Sequence, residues 1–293
     1  MNTRDLAYFK ALVEQRNYTA VAEQFSVSQP TVTQAIPRLE KEFDTKLIQH
    51  DRAQHKTNIT RSGQLLYEKA TMIQHNIMLA HQEIEGAKQS KIRFGLPPTI
   101  GTMHFPRVAG KLLQAGLLQR LDVFETGSDE LYSELLAGHI DIALLGSVLP
   151  MRSPELNVTH LGSRPFKIVV SPEHPLADVK AVSFKDLGNE NFITLNGKFV
   201  HPKAFKAYCD YAGITPNVVY STPDIFWIKS LIKANLGVAM LVSDAVTEAD
   251  PLTSLYITDP LPERFNISVA TRKDYVLTED EERLVRILNE MNV

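Results

Sequence analysis

The chain has 293 residues, of which 44% are hydrophobic and 22% are charged, with 14 glycines and 16 prolines. This composition excludes collagen-like, mucin-like and disordered chains, and the length predicts two or three domains. The formal net charge of -3 gives, by itself, no sign of a nucleic-acid partner. The single cysteine, Cys209, cannot form an intrachain disulfide, so the sequence does not require an oxidising compartment.

Charge is unevenly distributed along the chain. Residues 1–63 carry 9 Lys and Arg against 7 Asp and Glu, a net charge of +2, whereas residues 64–90 carry -1 and residues 91–293 carry -4. A basic segment at one end is a weak indication of nucleic-acid contact there. No apolar run reaches the ~18 residues of a membrane span, and no signal peptide is recognised, so we expect a cytoplasmic protein without membrane contact.

The N-terminal region begins with apolar residues at helical spacing. Leu6, Phe9 and Val13 predict a first helix with one buried stripe. Residues 20–25 predict a short second helix with Thr19 as its cap, followed by a tight turn.

A third helix is predicted from Ser28, whose hydroxyl is placed to cap the first turn, with Pro30 inside that turn. Four apolar residues of this helix would face the core: Val32, Ile36, Leu39 and Phe43. Amides and hydroxyls remain on the outer face: Gln29, Thr31, Thr33 and Gln34. Such a face is typical of a helix-turn-helix recognition helix, because Gln can contact adenine and Thr can offer a methyl group to thymine. An ordinary three-helix bundle with a polar outer face is the alternative.

Two short strands are predicted after these helices, at residues 46–49 and 57–60. The loop between them carries Arg52, His55 and Lys56, which suit contact with the phosphate backbone or the minor groove. An exposed hairpin without a ligand is the alternative. Its position directly after a helix-turn-helix favours a winged helix.

The N-terminal region resembles the LysR-type transcriptional regulators in three stretches: residues 20–36, Leu39-Glu40 and Thr60-Arg61-Ser62-Gly63. The resemblance implies a regulator that binds promoter DNA as an oligomer, responds to a small effector and acts on RNA polymerase. We expect DNA contacts from nine residues: Ser28, Gln29, Pro30, Thr31, Thr33, Gln34, Arg38, Arg52 and Lys56. Pro37 departs from the family's usual pattern, and we predict a helix kink near it because proline removes a helical hydrogen bond.

Residues 64–90 predict one long helix. Its apolar residues recur at alternating spacings of 4 and 3: Leu66, Ala70, Ile73, Ile77, Ala80, Ile84 and Ala87. A 3.5-residue repeat predicts a coiled-coil seam, whereas a helix packed on its own domain is the alternative. In the resembling family this helix mediates dimerisation. We therefore expect a dimer or tetramer whose contact includes Leu66, Ile73, Ile77 and Ile84.

From residue 91 onwards, strands alternate with helices, which predicts a parallel-rich α/β fold. The predicted strands are 92–95, 121–125, 140–146, 166–171, 192–195, 218–221, 238–241 and 266–271, and the predicted helices are 103–115, 129–137, 202–212, 224–234 and 279–291. The resemblance implies a two-lobed effector domain with the type 2 periplasmic-binding-protein fold. The expected division is thus a winged helix-turn-helix at 1–63, a linker helix at 64–90, one lobe at 91–161 plus 267–293, and another at 162–266.

The loops that follow the strands are the candidate effector site, because open α/β sheets bind ligands at the carboxyl ends of their strands. The resemblance and these loops together indicate seven contacts: Thr99, Ile100, Gly101, Ser128, Asn196, Phe199 and Val200. Positive charge from Lys198, His201 and Lys203 would favour a small carboxylate. The alternative for Thr99 and Ser128 is a helix N-cap.

The segment of residues 50–56 is similar to regulators of malolactic fermentation within the family, which makes L-malate the first effector to consider. Catalytic motifs such as G-x-S-x-G, H-E-x-x-H and C-x-x-C do not occur, and the nine histidines are scattered. We therefore expect no enzyme activity, no metal and no cofactor. The rival hypotheses are a winged helix fused to a catalytic α/β domain and a free solute-binding protein.

Overall fold

The structure is a computed structural model that describes residues 2–51, 56–197 and 199–291, with the backbone alone described at residues 50, 51, 56 and 57. The chain forms two compact units, Met1–Lys88 and Gln89–Val293. Each unit has its own hydrophobic core. Among the described residues, no helix is long and apolar enough to cross a membrane.

The N-terminal unit runs in the order α1 (Thr3–Gln15), α2 (Tyr18–Gln24), α3 (Gln29–Glu42), β1 (Ile48–Asp51), β2 (Lys56–Ile59) and α4 (Arg61–Ala87). Strands β1 and β2 pair antiparallel, with Ile48 opposite Ile59. The apolar stripes of the first three helices meet in one core, which contains Leu6, Phe9, Leu12, Val21, Val32, Ile36 and Leu39. The helical periodicity of the sequence therefore predicted the buried faces of α1 and α3 correctly.

Four local predictions in this unit are wrong. Asn17, not Thr19, caps α2, because its side chain accepts hydrogen bonds from the backbone N–H groups of Thr19 and Ala20. Phe43 was expected in the core but is 44% exposed, since α3 has already ended at Glu42. The first wing strand begins two residues later than predicted and the second begins and ends one residue earlier.

Helix α4 is divided between two environments. Its start is fixed by Thr60, whose hydroxyl accepts from the Gly63 N–H, and a Cβ at Gly63 would lie 2.2 Å from the Leu47 carbonyl oxygen. In its first half Leu66, Ala70 and Ile73 pack against the core of the N-terminal unit. The second half leaves Ile77, Met78 and Ile84 exposed.

The C-terminal unit begins with β3 (Ile92–Leu96), α5 (Pro98–Met103), α6 (Pro106–Gln114), β4 (Leu121–Glu125), α7 (Ser128–Ala137), β5 (Ile142–Ser147) and β6 (Leu156–Arg164). It continues with β7 (Phe166–Val170), β8 (Ala181–Val182), β9 (Asn191–Leu195), α8 (Val200–Ala212), β10 (Asn217–Thr222), α9 (Ile225–Lys233), β11 (Ala239–Val242) and β12 (Thr253–Ile257). It ends with β13 (Phe265–Arg272) and α10 (Glu279–Asn289).

These elements form two lobes, each built on its own sheet. The sheet of lobe 1 has the strand order β4-β3-β5-β13-β6, in which β3 pairs parallel with β4 and β5, and β13 pairs antiparallel with β5 and β6. The sheet of lobe 2 has the order β11-β7-β12-β8, and a parallel bridge from Phe192 to Val238 joins it to the parallel pair β9-β10. The chain passes from lobe 1 to lobe 2 after β6 and returns before β13.

The two-lobed α/β architecture confirms the predicted fold class, but the sheets are mixed rather than dominated by parallel pairs. The long strand β6 was not predicted, and neither were β8 and β12. In β6 the side chains after Leu156 are exposed or half-buried, so its sequence lacks the apolar run that marked the other strands. The predicted helix at 103–115 corresponds to α6, which begins three residues later, and α5 lies where the sequence predicted a loop.

Candidate functional site

The outer face of α3 carries the side chains that the sequence assigned to DNA. Gln29, Thr33 and Gln34 are exposed, while Val32, Ala35 and Ile36 are buried behind them. Thr31 is half-buried and Pro30 is exposed in the first turn. The helix therefore presents its N-terminal turns to solvent with a rigid apolar backing, which is the arrangement a major-groove reader requires.

Two hydroxyls of this face are already engaged. The Ser28 hydroxyl lies 2.8 Å from the Thr31 hydroxyl, and the Thr33 hydroxyl donates to the Gln29 carbonyl oxygen at 3.0 Å. The prediction that the Ser28 hydroxyl caps α3 is thus wrong, although Ser28 stands at the N-cap position. The side-chain amides of Gln29 and Gln34 make no hydrogen bond to another described residue. These two amides are therefore the groups of the face best placed to bond with a base.

Arg38 is held by a partner that the sequence did not indicate. Its Nε and Nη2 atoms donate to the two carboxylate oxygens of Asp5 at 2.9 and 2.6 Å, which raises the pKa of Arg38 through this hydrogen bond. The pair joins α3 to α1, and a guanidinium with five donors keeps others for a phosphate. Helix α3 continues past Pro37 as one assigned helix, and the kink there stays a prediction.

The predicted contacts of the wing are only partly described. Arg52 lies outside the described residues. Lys56 begins β2 and stands opposite Asp51, and its side chain is not described.

In lobe 1, the predicted effector residues begin with α5. Pro97 stands at the N-cap of that helix and Thr99 is its second residue, so the capping alternative for Thr99 is wrong. Ile100 is fully buried. The Thr99 side chain is largely buried and makes no hydrogen bond to the residues that the structure describes. A Cβ at Gly101 would lie 3.1 Å from a side-chain atom of Leu96, so this residue also packs closely.

Ser128 holds lobe 1 together at the opening of α7. Its hydroxyl accepts from the buried N–H of Gly146 at 2.8 Å, and Gly127 occupies the N-cap position. The capping alternative for Ser128 is therefore wrong. A Cβ at Gly146 would lie 2.9 Å from Val200 Cγ2 and 3.2 Å from Ser128 Oγ, so the N-terminal turns of α7 and α8 meet across the lobes at this glycine.

The remaining predicted residues lie at the start of α8. Asn196 donates its backbone N–H to the Thr222 carbonyl oxygen at 3.1 Å, which joins the loops after β9 and β10. Phe199 stands at the N-cap position of α8 and Val200 is the first residue of the helix. The structure thus brings Ser128 and Val200 together at Gly146, which follows a predicted strand but was not among the seven predicted contacts.

Of the three residues expected to supply positive charge beside these loops, the two that the structure describes offer no free charge. His201 is buried, its Nε2 accepts from the Val242 N–H at 3.2 Å, and burial lowers its pKa to about 3, so the ring is neutral. Lys203 donates to Asp129 at 2.6 Å across the two lobes, which offsets its charge. Lys198 lies outside the described residues. Among the described residues here, the backbone N–H groups in the first turns of α7 and α8 are the groups that can attract an anion.

A cavity between the lobes lies beside the end of α5. This cavity has a volume of about 450 Å³. Lobe 1 lines it with Thr102, Met103 and Arg107, and lobe 2 lines it with Ile225, Phe226, Lys229, Asp244, Ala245, Thr247 and Asp250. The lining contains none of the seven predicted effector contacts, and no sequence signal pointed to it.

The geometry defines a class of protein: a winged-helix DNA reader joined to a two-lobed α/β ligand-binding domain. Residues 3–64 match the bacterial regulatory helix-turn-helix of the lysR family, and residues 85–292 match the LysR substrate binding domain. The chain belongs to the LysR family of transcriptional regulators. The resemblance seen in the sequence is therefore confirmed.

Several proteins are similar over most of the chain. The malolactic fermentation system transcriptional activator of Lactococcus lactis subsp. lactis is 32% identical over 289 residues, which cover 98% of each chain. A hydrogen peroxide-inducible genes activator of Dickeya chrysanthemi is 28% identical and covers 85% of this chain and 81% of its own. The crystal structure of HinK, a LysR family regulator of Pseudomonas aeruginosa, shares the fold with a TM-score of 0.59, 21% identity and coverage of 99% and 97%.

The contact between Ser128 and Gly146 generates a prediction about stability. Ser128→Ala leaves the buried Gly146 N–H without a partner, which costs about 1–3 kcal/mol of unfolding free energy. Ser133→Ala is the matched control, because Ser133 is an exposed residue of the same helix, bonded only to the Asp129 carbonyl oxygen. Urea denaturation of both variants without any ligand measures the difference. Equal stabilities would show that Ser128 has no structural role.

Proposed function

We propose that this regulator binds operator DNA through α3 and the wing, and that a small carboxylate bound between the two lobes changes its effect on transcription. In this proposal residues 1–63 bind DNA, 64–90 dimerise, and 91–161 plus 267–293 and 162–266 form the effector lobes. The observation that carries it is the exposed amide and hydroxyl face of α3 on a fully apolar backing. The name of the lactococcal relative, a transcriptional activator, supports activation rather than repression. In this proposal, activation acts through contact with RNA polymerase.

In this proposal, base recognition is assigned to the side-chain amides of Gln29 and Gln34, which make no hydrogen bond to another described residue. Each of Gln29 and Gln34 offers a donor and an acceptor, the pair that matches the adenine edge in the major groove. Ser28, Pro30, Thr31 and Thr33 line the same turns, and Arg38, Arg52 and Lys56 supply backbone contacts.

Gln29→Ala and Gln34→Ala should each weaken operator binding by about 5- to 150-fold, the loss expected for one bidentate base contact. The operator is first recovered by selecting genomic fragments on the full-length chain, and affinity is then measured by fluorescence anisotropy at one fixed salt concentration. Gln114→Ala, on α6 of the other unit, is the control and should bind as the parent chain does. Unchanged affinity in both recognition-helix variants would exclude this assignment.

The effector site is assigned to the junction of α7 and α8. Their first turns lie on opposite lobes, and Ser128 Oγ and Val200 Cγ2 both approach the same point at Gly146. Helix N-termini attract anions through their unpaired N–H groups, and a ligand that bridges two lobes favours one lobe arrangement over another. Thr99, Ile100, Gly101, Asn196 and Phe199 complete the proposed lining, and L-malate is the first ligand to test.

Titration calorimetry of the full chain should show heat with L-malate or another small carboxylate and none with its uncharged diamide. Gly146→Ala should weaken this binding at least tenfold, because the new methyl group meets Val200 and Ser128. Gly110→Ala is the matched control, since a Cβ there meets nothing within 4 Å. Absence of heat from every anionic metabolite tested would overturn the carboxylate assignment.

Some relatives are named as hydrogen peroxide-inducible activators, but the chemistry of Cys209 disfavours thiol-based sensing in this chain. The thiol is buried on α8, and burial raises its pKa to about 11. Because the thiolate is the reactive form, this cysteine is a poor target for peroxide.

Self-association is assigned to the second half of α4. Ile77 and Ile84 are seven residues apart and 38% and 62% exposed, whereas Leu66 and Ile73 already pack within the N-terminal unit. The edge strands of both sheets in the C-terminal unit also expose apolar side chains: Val123 and Phe124 on β4, and Val218, Val219 and Tyr220 on β10. Apolar surface of this extent on one chain supports a dimer or a larger oligomer.

Ile77→Asp together with Ile84→Asp should shift the chain toward monomers and abolish tight operator binding, because a two-fold operator requires two readers. The melting temperature of the N-terminal unit should change little, since both side chains are exposed. His75→Asp, on the opposite face of α4, adds the same charge and should leave the oligomer intact. Analytical ultracentrifugation decides between these outcomes, and an unchanged oligomer in the double variant would refute the assignment.

A further inference from the structure

Four charged or titratable side chains meet where the chain first passes between the lobes. We call them the Asp244 cluster: Asp244 follows β11 in lobe 2, Arg164 ends β6, His104 follows α5 and Arg107 lies on α6. Ser243 donates its backbone N–H to the Pro165 carbonyl oxygen at 2.9 Å, so the residue before Asp244 is fastened to the crossover itself. The cluster therefore spans both lobes beside the crossover that joins them.

The carboxylate of Asp244 is the centre of this cluster. Its Oδ2 atom accepts from Arg164 Nε at 2.9 Å and its Oδ1 atom accepts from the Ser243 hydroxyl at 2.9 Å. Two groups of lobe 1, His104 Nε2 and Arg107 Nη2, each lie 3.8 Å from the same Oδ2 atom. A distance of 3.8 Å is too long for a hydrogen bond, but it exceeds a hydrogen-bond distance by only about 1 Å. A carboxylate oxygen has the capacity to accept a further donor.

His104 is the anomaly of the cluster. Its side chain has no exposed surface, and neither ring nitrogen has a hydrogen-bond partner among the described residues. Buried polar groups are normally bonded, and leaving one unpaired is costly. In the observed lobe arrangement, no hydrogen bond from a described residue offsets the cost of burying the His104 ring. A small shift of α5 toward the crossover would bring His104 Nε2 within bonding distance of Asp244.

We propose that the Asp244 cluster is a proton-operated latch between the lobes. A second lobe arrangement, in which His104 Nε2 bonds to Asp244, is favoured when the ring is protonated, because a charged donor binds a carboxylate more strongly than a neutral one. In the second arrangement the imidazolium donates to a carboxylate that Arg164 still holds. The latch joins a residue of lobe 1 to a residue of lobe 2, so its formation biases their relative position.

The direction of the pH effect follows from the charges around the ring. In the observed arrangement, burial lowers the pKa of His104 to about 4. The charge of Asp244 raises this pKa, whereas the charges of Arg107 and Arg164 lower it further. A direct bond to Asp244 stabilises the imidazolium and raises this pKa toward its ordinary value. The second arrangement thus binds the proton more tightly, and acidification favours it. If that pKa reaches 6.5, the ratio of the two arrangements changes by about 30-fold between about pH 7.5 and pH 5.0.

The test measures the distance between the lobes in the full-length chain, with neither DNA nor effector, so its outcome is independent of the function proposed above. Spin labels are placed on exposed residues of each lobe, through Gln114→Cys on lobe 1 and Lys185→Cys on lobe 2, in a Cys209→Ala background. Double electron–electron resonance is recorded from pH 7.5 to pH 5.0, with labelled chains diluted in unlabelled ones.

The proposal expects the interlobe distance distribution to shift on acidification in the parent chain and to stay fixed in His104→Gln and Asp244→Asn. His139→Gln is the matched control: it removes an exposed histidine of lobe 1 that pairs with Glu134, and the shift should persist. A parent chain that does not respond, or a response that survives either cluster variant, overturns the proposal. If His104→Gln fails to fold, Asp244→Asn decides alone, because it keeps the shape of the side chain and removes its charge.

Discussion

The antiparallel pairing of β6 with β13 is the interaction on which the effector domain depends. These strands pair from Arg164 opposite Phe265 to Leu156 opposite Arg272, and β13 is buried along its whole length. Both strands border a crossover between the lobes, so their pairing fixes the point at which the lobes join. The pairing lies within the sheet of lobe 1 and holds together the two ends of the chain that lead into lobe 2.

The side chains at the junction of α7 and α8 are already paired. Ser128 bonds to the Gly146 N–H within lobe 1, and His201 accepts from the Val242 N–H within lobe 2. Lys203 of lobe 2 pairs with Asp129 of lobe 1. In the proposed site, an anion would therefore bind the helix N-terminal N–H groups among side chains that are already paired. Because α7 and α8 belong to different lobes, a ligand bound to both would favour one relative position of the lobes, as proposed.

Helix α4 shows how one amphipathic segment can serve two partners. Its apolar repeat is continuous in sequence, but Ala70 and Ile73 complete the core of the N-terminal unit while Ile77 and Ile84 remain exposed. The reason is length: α1 covers only the beginning of a helix of 27 residues. The exposed half therefore offers its apolar side chains to another surface, as the proposed dimer requires.

The sequence by itself determined the fold class, the family, the buried faces of α1 and α3, and the outward amides of Gln29 and Gln34, because helical periodicity and local turn chemistry are written in neighbouring residues. It did not determine β6, whose side chains lack an apolar run, or the neutrality of His201, which depends on burial by distant elements. Only the tertiary structure showed that Asp5 holds Arg38, that Ser128 bonds to Gly146, and that His104 faces Asp244. Each of these joins residues far apart in the chain, and such contacts are decided by packing, which no local pattern records.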